Sequence, residues 1–372
     1  MDHKYLSIGQ YLERERSALE TLSVTQIQAF GSFGFNASGF PVRVLSEAEI
    51  VRYIDTMYGT SYRFYGAEDL VSPLEVQWLE LIADISRAYS TQVSGKAVVP
   101  IGANLAGLRH YRLIKQLLSE WNADEPTVVD IGPGSGYFGA LCLLGGIRYH
   151  AVENCMGLYL WQDRLYRAIA GDRFVQSAEN SGNPASEHSS HTPWWRFAAD
   201  DFSLPPKVDI LFCNNALAEM SRMAISYILN TAKKNLSGGT PGMFVFDSVG
   251  QQTTCSLSDV LKEFAKQGFG LLDYQRGIFG FVTESNEFYD LCIPVDLLLA
   301  KSFRSKVSRM KLIADRKRKS KQAAFSQSLA CPHKVTAGVR TVDFMKKYAT
   351  MASPDYDFKR RAGIQTPIDL WD

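Results

Sequence analysis

The segment Val128-Val129-Asp130-Ile131-Gly132-Pro133-Gly134-Ser135-Gly136-Tyr137 constrains the fold of this chain more than any other. Thr127–Ile131 has the composition of a short buried strand, and three glycines at alternate positions follow it at once. Alternating glycines let the backbone turn sharply into a helix and let a ligand come close to it. A glycine cluster this dense is costly without such an approach, so a purely structural turn is the weaker reading. Strand-like runs recur at Ile147–Val152, Val208–Cys213 and Met243–Phe246, with helical stretches between them, notably Leu217–Leu236. Strands alternating with helices predict a parallel sheet wrapped by helices. Residues 180–192 are polar and aperiodic, which predicts a mobile loop inserted in this domain.

The first 120 residues read as helices. Ser46-Glu47-Ala48-Glu49 and Ser72-Pro73-Leu74-Glu75 are both capping-box sequences, the second with Pro at the first helical position. A third helix is expected from Asn104 to Trp121, with a broad apolar stripe. Three segments follow: a helical domain over 1–120 serving as lid or acceptor side, an α/β domain over 121–300, and an extension over 301–372. Ten basic residues and one acid fall between Lys301 and Lys321, with further helix near Val342–Tyr348.

Composition sets outer limits. The 372 residues are 46% hydrophobic and 21% charged, which excludes fibrous and globally disordered classes. The net charge of +1 gives no bulk attraction for a polyanion, so no nucleic-acid partner is expected. The 301–321 segment alone carries +9, which suits peripheral contact with an anionic surface or a phosphate-bearing acceptor, or simply a solvated helix face. Six scattered cysteines without Cys-x-x-Cys spacing point to a reducing cytoplasm, with neither a disulfide framework nor a zinc ribbon. The N-terminus has no signal-peptide pattern and no apolar run approaches the roughly eighteen residues of a membrane span.

Two ligand classes use a turn of this kind. Gly134-Ser-Gly136-Tyr-Phe-Gly139 fits the G-x-G-x-x-G of a dinucleotide site. The other ligand is S-adenosylmethionine, whose sites place an acid at the strand end before G-x-G-x-G, as Asp130, Gly132, Gly134 and Gly136 do here. Glu153, ending the second strand, suits ribose hydroxyls in either case and does not discriminate. With those residues in place the segment resembles motif I of the class I S-adenosylmethionine-dependent methyltransferases. The resemblance covers about residues 120–300 and implies a Rossmann-like sheet with S-adenosylmethionine as cofactor. It implies cofactor-binding roles for Asp130, Gly132, Gly134, Gly136, Tyr137 and Glu153, and for Asp200 or Asp201 toward the adenine. Cys213-Asn214-Asn215-Ala216-Leu217-Ala218-Glu219-Met220-Ser221 is similar to a segment of sugar O-methyltransferases, which implies a sugar or other small polar hydroxyl acceptor.

An alcohol acceptor needs a group to take its proton as the new bond forms. Ligands in open α/β sheets sit beyond the carboxyl ends of the strands, which places Asn214, Asn215 and Glu219 near the transferred methyl. Glu219 is the first candidate base, with a helix-start carboxylate as its plain alternative. His110 is the second, with Arg109 beside it positioned to pair with the methionine carboxylate of the cofactor. His188-x-x-His191 lacks acidic neighbours at metal-site spacing, so no metal is expected. Trp194-Trp195 offers either a stacking surface for the acceptor or ordinary packing. Other classes stay open: a non-catalytic partner subunit, a methyltransferase for an N- or carboxyl acceptor, and an NAD-dependent oxidoreductase.

Overall fold

The structure is a computed structural model, and it describes residues 5–31, 43–55, 70–120, 123–178, 188–214, 216–236, 242–247, 254–275, 278–286, 288–295 and 335–351. The basic run at 301–321 and Asn215 lie outside the described residues.

The chain opens with α1 (Ile8–Leu19) and α2 (Val24–Phe30), each started by a serine capping box, then the short α3 (Glu47–Ile50). Strand β1 (Leu70–Val71) leads into α4 (Pro73–Ser94), whose Ser72/Glu75 capping box forms as expected and which stops at the left-handed Gly95. Ser46 makes no such side-chain bond at α3. Helix α5 (Ile101–Glu120) precedes β2 (Thr127–Ile131), α6 (Tyr137–Leu144), β3 (Arg148–Glu153) and α7 (Met156–Ala170). Then come β4 (Phe174–Gln176), β5 (Ser189–Pro193), α8 (Trp194–Phe197), β6 (Ile210–Asn214), α9 (Ala216–Glu219), α10 (Arg222–Leu236), β7 (Met243–Asp247) and α11 (Leu257–Lys266). The chain continues through β8 (Gly270–Gln275), β9 (Ile278–Val282), β10 (Ile293–Pro294), β11 (Val339–Arg340) and α12 (Thr341–Ala349).

Nine strands form one sheet in the order β10-β8-β9-β7-β6-β2-β3-β5-β4. The strands from β7 to β4 run parallel, while β9 enters antiparallel between β7 and β8 and β10 pairs antiparallel with β8. Every residue of β2, β7 and β9 is buried, as befits strands covered on both faces. One helical group, α4 to α7, packs together, and α2, α8, α10 and α11 form a second. The winding reverses between β2 and β6, and an open α/β sheet has its ligand crevice at such a switch point.

Two expectations are corrected. The polar stretch 180–192 is not loop throughout: Ser189–Pro193 is β5, parallel to β3 and β4. A strand this polar is masked in sequence because its hydroxyls serve local bonds; Ser189 Oγ accepts from Tyr149 N at 3.0 Å. Its His191 is fully buried and stacked at 3.8 Å on Tyr159 rather than displayed in a loop. The helix expected over Leu217–Leu236 breaks at Met220-Ser221, where the Ser221 hydroxyl accepts from Ala224 N at 3.1 Å and starts α10.

Helix α12 falls where helix is expected and docks on the N-terminal helices. Tyr348 is buried, accepts from Asn104 Nδ2 at 3.0 Å and donates to Leu79 O, while β11 pairs with β1. Among the described residues, no helix is long and apolar enough to cross a membrane. Five cysteines are free there, four of them buried.

Candidate functional site

Gly132, Gly134 and Gly136 have φ of 70°, 63° and 80°, so the chain leaves β2 in a conformation that L side chains rarely adopt. A Cβ on Gly132 would lie 2.5 Å from the Ala216 methyl, and one on Gly136 2.6 Å from the Tyr166 hydroxyl. The carbonyls of this turn point back into the protein, where one helix satisfies them in succession. Gln162 Nε2 donates to Gly134 O at 2.5 Å, Trp161 Nε1 to Ser135 O at 3.1 Å and Tyr166 OH to Gly136 O at 3.0 Å, all three from α7.

Beside the turn lies a small cleft, lined by α5, the turn itself and the ends of β2 and β6. Asp130, Gly136, Tyr137, His110 and Asn214 all line it. Helix α5 comes this close because of Gly107, where a Cβ would stand 2.8 Å from Phe138 N at the start of α6. One turn further along α5, His110 faces the cleft with its ring against Phe212, centroids 5.0 Å apart. Its Nε2 lies 3.0 Å from Asp247 Oδ2. Asp247 ends β7, is 1% exposed and sits in register with Asn214 at the end of β6. Arg109 Nη1 stands 3.8 Å from the same carboxylate oxygen. A carboxylate acceptor fixes the proton of the neutral ring on Nε2 and leaves Nδ1 as its basic nitrogen.

Two buried carboxyls flank the turn. Asp130 is 1% exposed; Tyr149 OH donates to its Oδ2 at 2.7 Å, and its Oδ1 has no partner. Burial, with the Glu153 charge adding to it, pushes Asp130 up to about 8 against the hydrogen bond from Tyr149. Glu153 Oε1 accepts from the amides of Asn154 and Cys155, both at 2.8 Å, and Oε2 accepts from Gln162 Nε2 at 3.0 Å. Burial outweighs these donors and the Gly134 amide, and lifts Glu153 to about 7. Among the described residues, no Lys, Arg or His is paired with either carboxyl. The Ser135 hydroxyl is also buried without a partner.

Several expected site residues lie elsewhere. Glu219 ends α9, half-buried and outside the cleft lining; burial raises its carboxyl. Asp200 and Asp201 are exposed past α8, where Asp200 accepts from Gln26 Nε2 at 2.7 Å and Asp201 pairs with Arg196 at 2.5 Å. Trp194 and Trp195 are core residues: Trp194 Nε1 donates to Glu15 Oε1 at 3.0 Å, and Trp195 lies edge-on to Tyr11 at 4.5 Å. Tyr137, by contrast, lines the cleft, and its hydroxyl donates to Ile54 O. Asp247, Gln162 and Gly107 escaped the sequence reading. Asp247 carried a usable signal, being the acid that ends a strand at the sheet's ligand edge.

The strand order, the antiparallel β8–β9 hairpin and the glycine turn after β2 define a Rossmann-like α/β fold with a central, mostly parallel sheet. No protein-family model matches the chain, and no curated protein matches its sequence. Among solved structures the chain is similar to a TehB-like SAM-dependent methyltransferase from Corynebacterium glutamicum: 12% identity, 47% of this chain and 88% of that one, TM-score 0.33. It is also similar to magnesium protoporphyrin IX methyltransferase from Synechocystis PCC 6803 with bound SAM, at 12% identity over 65% and 99% of the two chains, TM-score 0.33. A third is geranyl diphosphate C-methyltransferase from Streptomyces coelicolor A3(2), at 12% identity over 61% and 80%, TM-score 0.32. The fold rests on the strand order itself, not on these partial likenesses.

Proposed function

We propose that the protein is a cytoplasmic S-adenosylmethionine-dependent methyltransferase that acts on a hydroxyl of a small polar acceptor, a sugar first. The observation that carries this reading is the glycine turn with two buried carboxyls beside it that no described Lys, Arg or His pairs with. The residues fit such a cofactor. Its positive charge would face Asp130, which no described cation pairs with, and the orphaned Asp130 Oδ1 and Ser135 Oγ would find polar partners in it. Asp130, the turn amides, Tyr137 and Asn214 would hold it, with Glu153, which ends β3 outside that lining, toward the ribose. When bound, the cofactor supplies an activated methyl, so the protein's work is positioning and proton removal.

His110 is the favoured base. It faces the cleft, Asp247 orients its ring and stabilises the imidazolium that forms, and Nδ1 is left to take the acceptor proton. Glu219 stands away from the cleft lining, though its raised carboxyl keeps it as the comparison in any test. Arg109, engaged by Asp247, fits an acceptor-side role as well as a contact to the cofactor carboxylate. The sugar reading is supported by the Cys213–Ser221 resemblance and by the Glu153-Asn-Cys-Met-Gly-Leu run. The 301–321 basic segment would then serve a phosphate-bearing acceptor or an anionic surface.

A thermal-shift titration tests the reading: S-adenosylhomocysteine stabilises the protein and NAD does not. Stabilisation by NAD alone would make the protein an oxidoreductase, and by neither a partner subunit. With a labelled methyl donor and an accepted sugar in hand, His110→Ala lowers turnover about 10²–10⁴-fold with cofactor affinity kept, whereas Glu219→Gln does not. The reverse pattern would move the base to Glu219.

A further inference from the structure

Gln162 lies on α7, outside the cleft lining, and is fully buried. Its amide nitrogen has two protons and two partners, Gly134 O at 2.5 Å and Glu153 Oε2 at 3.0 Å. Both partners are acceptors, so the amide orientation is fixed: turned over, its oxygen would face a carbonyl and a carboxylate. The oxygen of the same amide is buried without a partner. One side chain thus ties the middle glycine of the turn to the acid that ends the neighbouring strand. The other three donors to Glu153 are backbone amides, those of Gly134, Asn154 and Cys155. Gln162 is therefore the side-chain donor in that set, and the part of the arrangement that substitution can remove.

We infer that Gln162 is a positioning residue for cofactor binding, aiming the Glu153 carboxyl while it fixes the Gly134 peptide. This rests on the reading of the glycine turn as a cofactor site. A carboxylate deprived of a donor in a buried place takes up a proton more readily, and a protonated Glu153 presents an O–H where ribose hydroxyls would donate. The same loss frees the Gly134 carbonyl, so the turn is less well set for its ligand. Gln162 acts through Glu153 and the turn, and touches no reacting atom.

The test is calorimetric titration of the full chain with S-adenosylhomocysteine from pH 6 to 9, in wild type, Gln162→Met and Gln162→His. Met keeps the length without a donor; His offers one N–H in place of two. Wild-type affinity rises with pH as Glu153 and then Asp130 ionise, and only the lower, Glu153 step is sensitive to Gln162. Gln162→Met binds about tenfold more weakly at pH 7 and moves that rise to higher pH, and Gln162→His falls between. Carbon-detected titration of the Glu153 carboxyl in ligand-free protein shows the same upward order. Should Gln162→Met fail to fold, by circular dichroism, wild type against Gln162→His carries the comparison. Unchanged affinity and midpoint overturn the inference, and so does tighter binding, which would make Gln162 a competitor for Glu153. If wild type binds no S-adenosylhomocysteine at any pH, the cofactor reading fails instead, and the carboxyl titration alone judges whether Gln162 favours the ionised Glu153.

Discussion

Gly136 joins the two demands that shape the site, an unusual backbone conformation and a close neighbour. At φ 80° an alanine is strained, and its Cβ would press to 2.6 Å from the Tyr166 hydroxyl that caps Gly136 O. Tyr166 is itself buried among Tyr149, Phe174 and His191, so it has little room to yield. Gly136→Ala is expected to cost roughly 1–3 kcal/mol in denaturant unfolding and to weaken S-adenosylhomocysteine at least tenfold by calorimetry. Wild-type affinity in a folded Gly136→Ala protein would mean that the ligand does not meet this turn. His191, by contrast, is a buried aromatic without hydrogen-bond partners at either ring nitrogen, held neutral because burial pulls its basicity down.

Elements far apart in sequence hold the cleft wall. Helix α5 carries His110 and Gly107 and is backed by α12, 244 residues away along the Asn104–Tyr348 pair. Tyr348 fills the space between α4 and α5 and satisfies Leu79 O and Asn104 together. Tyr348→Ala removes a buried aromatic and two bonds, and is expected to cost roughly 3–5 kcal/mol in chemical denaturation. A loss below about 1 kcal/mol would show that α12 is only loosely seated. At the other side α2 spans loops that leave three strands. Asn154 Nδ2 donates to Phe30 O at 2.8 Å, Gln26 Nε2 to Ala198 O at 2.7 Å, and Ser221 Oγ to Ala29 O at 3.3 Å. That helix occupies Asp200 with its own glutamine, which is why an acid near the expected adenine position stands outside the cleft.

For the molecule as a whole, the two raised carboxyls set a pH dependence with opposite signs for folding and binding. Asp130 at about 8 and Glu153 at about 7 lie above the usual carboxylate range near 4, so the folded protein holds protons that the unfolded chain releases. Their contribution to stability is complete below about pH 4 and is lost as pH rises through 7 to 8. Glu75, held low despite its burial by Arg112, acts oppositely, and its contribution goes only in acid. Ligand-free melting temperature is therefore expected to fall between pH 5.5 and 8.5, while the stabilisation by S-adenosylhomocysteine grows over the same range as both groups ionise. Two flat profiles in a buffer series would count against this charge assignment.

Much of the sheet was legible in sequence because central strands announce themselves: Thr127–Ile131 and Met243–Asp247 are apolar runs buried on both faces, and the alternating glycines can serve only a turn with positive φ. The Ser72 capping box was legible too, since its partners lie three residues apart. What periodicity cannot carry is the meeting of side chains over long separations. Asp247 meets His110 across 137 residues because β7 pairs with β6 in a register that sets Asp247 beside Asn214, while Gly107 lets α5 lie close enough to deliver the ring. Asp200 and Asp201 looked like ligand groups in sequence, yet packing turned them outward, and of the two readings open for Trp194 and Trp195 the structure takes the packed one. Sequence by itself determined the turn and the alternation of buried strands with helices, because both depend on near neighbours; tertiary structure alone decided the strand order and which polar groups face the cleft, because these depend on strand pairing and on how closely helices approach.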